Sequence, residues 1–250
     1  MLNPLHANTS NLGDVSRKPT VCVILGQTAS GKSRLCIELA RRLGGEIVSM
    51  DALKVYRGMD IGTAKTPEAE RAGVVHHLVD LVEPHEPFSV ALYMERLEPI
   101  LRDILARGNM PIVDCGTPLY LKAFVSGLID GPQPDENLRA ELEAKDSMWL
   151  HDELARRDPA AAKRLHVNDR KRVIRALEFE MLTGEPISQK QTTFDKRRED
   201  YRLLLTGPLW SEEALKARIS QRVDTMVKAG LVDEVRRIQN RFWNSAAWVD

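Results

Sequence analysis

The 250-residue sequence lacks an excess of charge and any long apolar run, and both absences exclude classes of protein. Thirty-six basic residues balance thirty-six acidic ones, which argues against a protein that coats nucleic acid through bulk charge, although a local basic face is allowed. No apolar stretch approaches the roughly 18 residues of a membrane-spanning helix, and no signal-peptide pattern opens the sequence. We therefore expect a cytoplasmic protein that does not associate with membranes.

Cysteines are also few. Cys22, Cys36 and Cys115 are odd in number, lie in or beside apolar stretches and show no metal-ligand spacing. This usage indicates a reducing compartment, in which free cysteines serve as small buried hydrophobic residues.

Short apolar segments alternate with helical patterns, which predicts a parallel sheet flanked by helices. The strand patterns cover Thr20 to Leu25, Glu46 to Met50, Met110 to Val113 and Tyr201 to Leu205. The helical patterns cover Ser33 to Leu43, Ser89 to Ala106, Asp169 to Thr183 and Glu212 to Gln239, the last interrupted at Ala229-Gly230.

The sequence divides into four regions. We expect residues 1–18 to be a disordered lead-in and residues 19–134 to form the α/β core. Residues 135–198 are charged and helix-rich, which predicts a helical insertion, and residues 199–250 return to the core. We expect the protein to be a monomer.

A phosphate-binding motif follows the first predicted strand. It matches G-x-x-x-x-G-K-[ST] at every fixed position and consists of Gly26, Gln27, Thr28, Ala29, Ser30, Gly31, Lys32 and Ser33. The glycines let backbone N–H groups converge on phosphate oxygens at a helix N-terminus. Lys32 is expected to neutralise the terminal phosphate and Ser33 to hold Mg²⁺. The motif therefore predicts an α/β fold of the P-loop NTPase type.

The motif does not identify the polyphosphate. ATP is the default ligand, but no apolar strand ends in a clear acidic pair for nucleotide-bound Mg²⁺, and Asp114 is the single candidate. The sequence therefore leaves room for a diphosphate that is not a nucleotide.

The motif and several further segments resemble the tRNA dimethylallyltransferases. The resemblance runs from about Thr20 to Val235 and includes Gly26 to Ser33, Asp51, Val55 to Lys65, His76 to Asp80, Gly116-Thr117, Leu119 to Ala123, Asn168-Asp169, Arg172 and Arg175 to Glu178. It implies that the loop binds the diphosphate of dimethylallyl diphosphate. The acceptor it implies is N6 of the adenine next to the anticodon of tRNA.

The resemblance also implies roles at the reacting atoms. Asp51 matches the carboxylate that accepts a proton or hydrogen bond from the attacking amine. Thr28 is expected near the bridging oxygen of the diphosphate. Arg218 and Arg222 lie four apart on one helix, and Arg218 is the preferred ligand of the diphosphate.

A further set of residues matches tRNA-contacting positions: Asp51, Ala52, Leu53, Lys54, Thr117, Arg139, Lys171, Arg172 and Arg175. The helical insertion is expected to grip the anticodon stem-loop, with the adenine extruded into the site. Two alternatives are open. Arg172 and Arg175 also fit a solvated face paired with Asp169 and Glu178, and Arg139 also fits a solvent-facing position. For His76 and His77, a structural role is favoured over metal binding, because no third ligand accompanies them.

The sequence departs from the family pattern at several positions. Gln27, Ala52 and Lys54 replace the usual Pro, Ser and Gln, and Pro118 replaces the last glycine of a Gly-Gly-Thr-Gly turn, which raises the prospect of a displaced Thr117. The sequence also stops at Asp250, before the basic C-terminal helices of the family. Truncation, divergence and weakened tRNA binding are all open interpretations of this end.

Three other functions fit parts of the sequence. Prenylation of free adenosine phosphates needs no helical insertion, an ordinary P-loop kinase or NTPase needs only the loop, and a decayed tRNA-binding paralogue would explain Pro118. The intact Lys32, Ser33 and Asp51 argue against decay.

Overall fold

The computed structural model describes residues 18–128, 131–190 and 198–242. The strands are β1 (Thr20–Leu25), β2 (Gly45–Met50), β3 (His76–His77), β4 (Met110–Cys115) and β5 (Arg202–Thr206). The helices are α1 (Lys32–Leu43), α2 (Val90–Ala106), α3 (Pro118–Ser126), α4 (Glu136–Glu143), α5 (Ser147–Arg157), α6 (Pro159–Arg164), α7 (Arg170–Thr183), α8 (Ile187–Lys190), α9 (Glu212–Lys228) and α10 (Leu231–Phe242). Except for Lys18, the predicted lead-in lies outside the described residues.

The five strands form one sheet in the order β3-β2-β4-β1-β5, and every adjacent pair is parallel. The predicted parallel α/β sheet is therefore confirmed. Because β4 lies between β1 and β2, the carboxyl ends of these three strands meet at one edge. The segments that follow them, which begin at Gly26, Asp51 and Gly116, are brought together there, as expected for ligand sites of open parallel sheets.

Helices cover the sheet through apolar contacts. Alternate residues of the strands, among them Cys22, Ile47 and Ile112, pack against α1 in one buried cluster. Helix α2 is capped by the Ser89 side chain and contacts β4, and its fully buried Tyr93 donates a hydrogen bond to the carbonyl of Ser49 at 2.8 Å. The three cysteines are buried and free, as predicted.

The chain divides into two compact units. One comprises the residues up to Lys122 and those from Glu199 onward, and the other is Ala123–Arg198. The second unit is helical, and α5, α6 and α7 bury a core of its own that includes Leu150, Leu154 and Phe179. Its segment 191–197 lies outside the described residues. In the part of the chain that the structure describes, no helix is both long and apolar enough to cross a membrane.

Candidate active site

The phosphate loop leaves β1 at Gly26 and enters α1 at Lys32. A Cβ on Gly26 would lie 2.7 Å from Ser30 Oγ, so the tight curl of the loop requires glycine at this position. Gly31 caps α1 in a left-handed conformation (φ 90°), and no side chain caps the helix. The first backbone N–H groups of α1 are therefore left for an anionic ligand, together with the positive end of the helix dipole.

Two side chains from the C-terminal segment hold the loop from outside. Arg218 Nε donates to the carbonyl of Ala29 at 2.8 Å, and Trp210 Nε1 donates to the carbonyl of Ser30 at 2.8 Å. The Arg218 guanidinium also lies over the Trp210 ring, 4.2 Å from its centroid. This stacking fixes the guanidinium beside Gly31, where its remaining N–H groups can meet a phosphate.

Asp114 lies at the end of β4, against the last residue of the loop. Ser33 Oγ donates to Asp114 Oδ2 at 2.7 Å, and the Lys54 ammonium lies 3.2 Å from the same oxygen. This is the pairing of loop hydroxyl and strand-end carboxylate that holds Mg²⁺ in P-loop enzymes. Asp114, the single acidic candidate of the sequence, therefore lies in direct contact with the last residue of the loop.

Asp51 lies at the end of β2, and its two carboxylate oxygens differ in their surroundings. Oδ1 accepts hydrogen bonds from the backbone N–H groups of Leu53 (2.9 Å) and Lys54 (3.3 Å). Oδ2 packs against Gly116, where a Cβ would lie only 2.5 Å from it. The carboxylate is thus oriented by its own turn and by the strand-end glycine of β4.

Pro118 departs from the family pattern, but Thr117 is still hydrogen-bonded to the turn after β2. Thr117 Oγ1 accepts a hydrogen bond from the backbone N–H of Ala52 at 2.9 Å, and the N–H groups of Gly116 and Thr117 both donate to the carbonyl of Met50. Pro118 is the first residue of α3, a position where proline's missing N–H costs nothing and its fixed φ suits a helix.

A cavity of about 430 Å³ separates the loop from Asp51, which is within the range of small-ligand sites. Its polar lining includes Thr28, Lys32, Ser33, Asp51, Lys54 and Arg222, and its apolar lining includes Ala64, Cys115, Pro118 and Leu121. Burial raises the pKa of the Cys115 thiol to about 11, so this residue contributes apolar surface and not a thiolate. The cavity can therefore take a phosphate group at one end and a short apolar group at the other.

A second, larger cleft of about 1430 Å³ shares Lys32, Ser33, Ala64 and Arg222 with this cavity. Both arginines of α9 line the larger cleft, but only Arg222 lines the smaller one. The preferred Arg218 is thus bound to the loop backbone, whereas Arg222 faces the cavity that contains Asp51.

Residues 60–65 form a wall that lines both cavities. The sequence predicts no individual role for any of them. The N–H groups of Asp60, Ile61 and Gly62 all donate to the Glu234 carboxylate of α10, at 2.8, 2.8 and 2.9 Å. Glu234 is 3% exposed. No local pattern singles it out, because it is one of two adjacent acidic residues in an amphipathic helix and is separated from the wall by more than 170 residues.

Lys65 fixes the other end of the same wall. Its ammonium binds Asp60 Oδ1 at 2.8 Å, Asp80 Oδ1 at 2.6 Å and the carbonyl of Tyr56 at 2.5 Å. Three acceptors match the three donors of a lysine. The wall carries Thr63 and Ala64 into the smaller cavity, so these contacts set its shape.

The histidine pair has structural partners. His77 Nε2 lies 2.6 Å from Glu46 Oε2, and His76 Nδ1 lies 3.0 Å from the carbonyl of Val74. Burial raises the pKa of Glu46, but hydrogen bonds from Asn109, Arg107 and His77 outweigh it and lower that pKa to about 2. Among the described residues, no group of three His, Cys, Asp or Glu side chains is arranged to hold a metal.

In the helical unit, the predicted tRNA-contacting arginines pair with carboxylates. Arg139 Nε lies 2.8 Å and Arg175 Nη1 lies 2.5 Å from the fully buried Glu178, and Arg172 Nη1 lies 2.6 Å from Asp169. Burial raises the pKa of Glu178, but these arginine hydrogen bonds lower it below its usual value. Arg172 and Arg175 therefore make the ion pairs of the alternative interpretation, although Glu178 is buried and not solvated, and Arg139 is ion-paired where that interpretation had it facing solvent.

Those contacts do not test binding to tRNA. Lys171 is exposed, and the paired Arg172 and Arg175 also line a pocket of about 240 Å³ with Arg164. The assignment of Arg139, Lys171, Arg172 and Arg175 to tRNA stays a prediction.

The parallel sheet, the glycine-rich loop and the facing strand-end carboxylates are typical of the P-loop-like α/β fold. The sequence profile of one family, IPP transferase, matches residues 54–248. The chain belongs to the IPP transferase family.

Individual relatives are similar over most of the chain. The tRNA dimethylallyltransferase of Pelotomaculum thermopropionicum is 43% identical over 230 residues, which cover 90% of this chain and 73% of that protein. The tRNA dimethylallyltransferase of Geobacter metallireducens is 46% identical over 223 residues, with 88% and 72% covered.

Two solved structures are also similar. The full-length tRNA isopentenylpyrophosphate transferase of Bacillus halodurans is 40% identical, with a TM-score of 0.62 over 91% of this chain and 72% of that one. A eukaryotic dimethylallyltransferase acting on tRNA is 30% identical, with a TM-score of 0.77 over 90% and 57%.

Proposed function

We propose that this protein transfers a dimethylallyl group from dimethylallyl diphosphate to N6 of the adenine next to the anticodon, at position 37 of tRNA, and releases diphosphate. One observation carries the proposal beyond family membership. A phosphate loop and the carboxylate of Asp51 face each other across a cavity of about 430 Å³ that is too small for a macromolecule. A single extruded base and a prenyl diphosphate match its size and chemistry.

The residues divide the reaction between leaving group and nucleophile. The N6 lone pair attacks C1 of the dimethylallyl group, and the C1–O bond breaks with its electron pair leaving on diphosphate. Lys32, the N–H groups at the start of α1 and the arginines of α9 neutralise that charge. Thr28, which lines the cavity, donates a hydrogen bond to the bridging oxygen.

Asp51 takes the proton that N6 loses. Its Oδ1 is held by two backbone N–H groups, and among the described residues Oδ2 accepts no hydrogen bond, which leaves that oxygen for the amine. This asymmetry supports a fixed proton acceptor at the Asp51 end of the cavity.

Mg²⁺ as the cofactor stays a prediction, because the Lys54 ammonium already contacts the two oxygens that would hold it. Ser33 Oγ and Asp114 Oδ2 are hard oxygen ligands 2.7 Å apart, and Mg²⁺ is commonly bound by one or two such groups plus phosphate oxygens and water. When bound there, Mg²⁺ would supply further positive charge to the diphosphate. A monomeric state and a cytoplasmic location stay predictions.

The test is transfer of radiolabel from dimethylallyl diphosphate into unmodified tRNA with adenine at position 37. We expect Asp51→Asn to lose at least about 100-fold in rate while it still binds inorganic diphosphate, because the general base is removed and the loop is untouched. Lys32→Ala should lose both binding and transfer. Asp233→Asn is the matched control, since Asp233 is exposed and, among the described residues, is paired only with Arg236 on its own helix.

The result that contradicts the proposal is tight binding of ATP with no label entering tRNA. The Ser33–Asp114 pair is also the metal-binding pair of P-loop NTPases, so an ATP-binding arm belongs in the same experiment. Label entering AMP but not tRNA would favour a free adenosine phosphate as the acceptor.

A further inference from the structure

Lys54 places a buried positive charge on the two oxygens that would bind Mg²⁺. Its ammonium lies 3.2 Å from Asp114 Oδ2 and 3.4 Å from Ser33 Oγ. The residue is 9% exposed and lines the smaller cavity together with Lys32 and Ser33. The ammonium is therefore part of the site that receives the phosphate group, and not of the outer protein surface.

The backbone of Lys54 is fixed as firmly as its side chain. Its N–H donates to Asp51 Oδ1 at 3.3 Å, and its carbonyl accepts a hydrogen bond from the N–H of Asp80 at 3.1 Å. The residue thus links the turn after β2, which carries Asp51, to Asp114 at the end of β4. Because both the backbone and the ammonium of Lys54 are held by hydrogen bonds, the side chain is already ordered. It therefore loses little further conformational entropy when a ligand binds.

A divalent cation and the Lys54 ammonium compete for the same place. Mg²⁺ binds oxygen ligands at about 2.0–2.1 Å, so an ion bound to both Ser33 Oγ and Asp114 Oδ2 would lie within a few ångströms of the ammonium. Two positive charges at such a distance repel, and the weakly screened interior strengthens that repulsion. Asp114 is the carboxylate that both cations would share.

We propose that Lys54 supplies positive charge where Mg²⁺ would otherwise act, so that this protein binds diphosphate with little dependence on divalent cations. The proposal rests on the proposed function for the identity of the ligand as a diphosphate. The ammonium contributes one charge that offsets Asp114 beside the loop, while Lys32 and the loop N–H groups act on the diphosphate. Lys54 also stands where the family commonly has glutamine, which carries no charge.

Calorimetric titration with inorganic diphosphate, in EDTA and in saturating Mg²⁺, tests the proposal. We expect the unmodified protein to change its diphosphate affinity by less than about threefold between the two conditions. Lys54→Gln should lose about tenfold or more in EDTA and recover most of it in Mg²⁺, because the metal can now take the vacated position. Lys54→Arg should behave like the unmodified protein.

Lys216→Gln is the matched control for loss of one lysine charge. Lys216 is exposed and pairs with Glu212 on α9, so its substitution should change neither affinity nor metal dependence. Thermal unfolding of each variant checks that the fold is kept.

A second readout uses no diphosphate. Mn²⁺ is a paramagnetic substitute for Mg²⁺, and its binding is followed by the loss of the free-ion resonance. We expect Lys54→Gln to bind Mn²⁺ about tenfold more tightly than the unmodified protein, because a repelling charge has been removed.

The outcomes separate the two proposals. Equal Mg²⁺ dependence in the unmodified protein and in Lys54→Gln, with diphosphate still bound, overturns the role of Lys54 and leaves the transferase intact. No diphosphate binding to the unmodified protein in either condition overturns both.

Discussion

Substitution of Gly116 by alanine tests the geometry of the Asp51 carboxylate. Gly116 is not among the glycines with a left-handed backbone, so alanine fits its main chain without strain. Its Cβ would nevertheless lie 2.5 Å from Asp51 Oδ2 and 3.4 Å from Asp51 Cγ. Because an ordinary contact of this kind is close to 3.5 Å, the carboxylate must move by about 1 Å.

A displacement of that size has a large kinetic cost. Misplacement of a catalytic group by about 1 Å lowers the rate by about 100-fold, which corresponds to about 2.7 kcal/mol of activation free energy. We expect Gly116→Ala to lose this factor in kcat for dimethylallyl transfer, while diphosphate binding at the loop stays within about twofold.

The double variant Gly116→Ala with Asp51→Ala provides the control. If Gly116 acts only through Asp51, Gly116→Ala causes no further loss of kcat in a protein that already carries Asp51→Ala. The effects of the two substitutions are then strongly non-additive. A kcat of the double variant that is a further 100-fold below that of Asp51→Ala alone would refute the reasoning. Unchanged kcat in Gly116→Ala would refute it as well.

Three further predictions concern the clamp, the loop and the histidine pair. Glu234→Ala should destabilise the protein by about 3 kcal/mol in urea unfolding, because three part-buried N–H groups lose their acceptor, whereas Asp233→Asn should stay within about 0.5 kcal/mol. Trp210→Ala should raise the dissociation constant for inorganic diphosphate about tenfold in calorimetry, because Arg218 loses its stacking partner; an unchanged constant would show that the loop needs no outer support. Burial raises the pKa of Glu46, but its hydrogen bonds have the larger effect and lower that pKa from 4.5 to about 2. Its stabilisation is therefore present above pH 4.5 and lost as the pH falls towards 2, and Glu46→Gln should remove about 3 kcal/mol of that pH dependence in acid unfolding.

The sequence by itself determined four of the five strands, the main helices around them and the loop, but not the short strand β3 or helix α3. Strand β1 has the bounds that its β-branched apolar pattern predicted, and α9 and α10 are separated at the predicted Ala229-Gly230 break. Periodicity, caps and the phosphate motif are encoded within a few residues, so they can be read without knowledge of the fold. The same holds for the free, buried cysteines, since their apolar neighbours are local.

Only the tertiary structure decided which charges meet at the site. The insertion of β4 between β1 and β2 brings Asp114 to Ser33, 81 positions away, and to Lys54, 60 positions away. The Glu234 clamp on the loop at Asp60 and the contact of Gly116 with Asp51 depend on the same long-range packing. Strand order and helix docking are set by the burial of whole faces, and the pairing of single polar side chains follows from that packing without a local signal in the sequence.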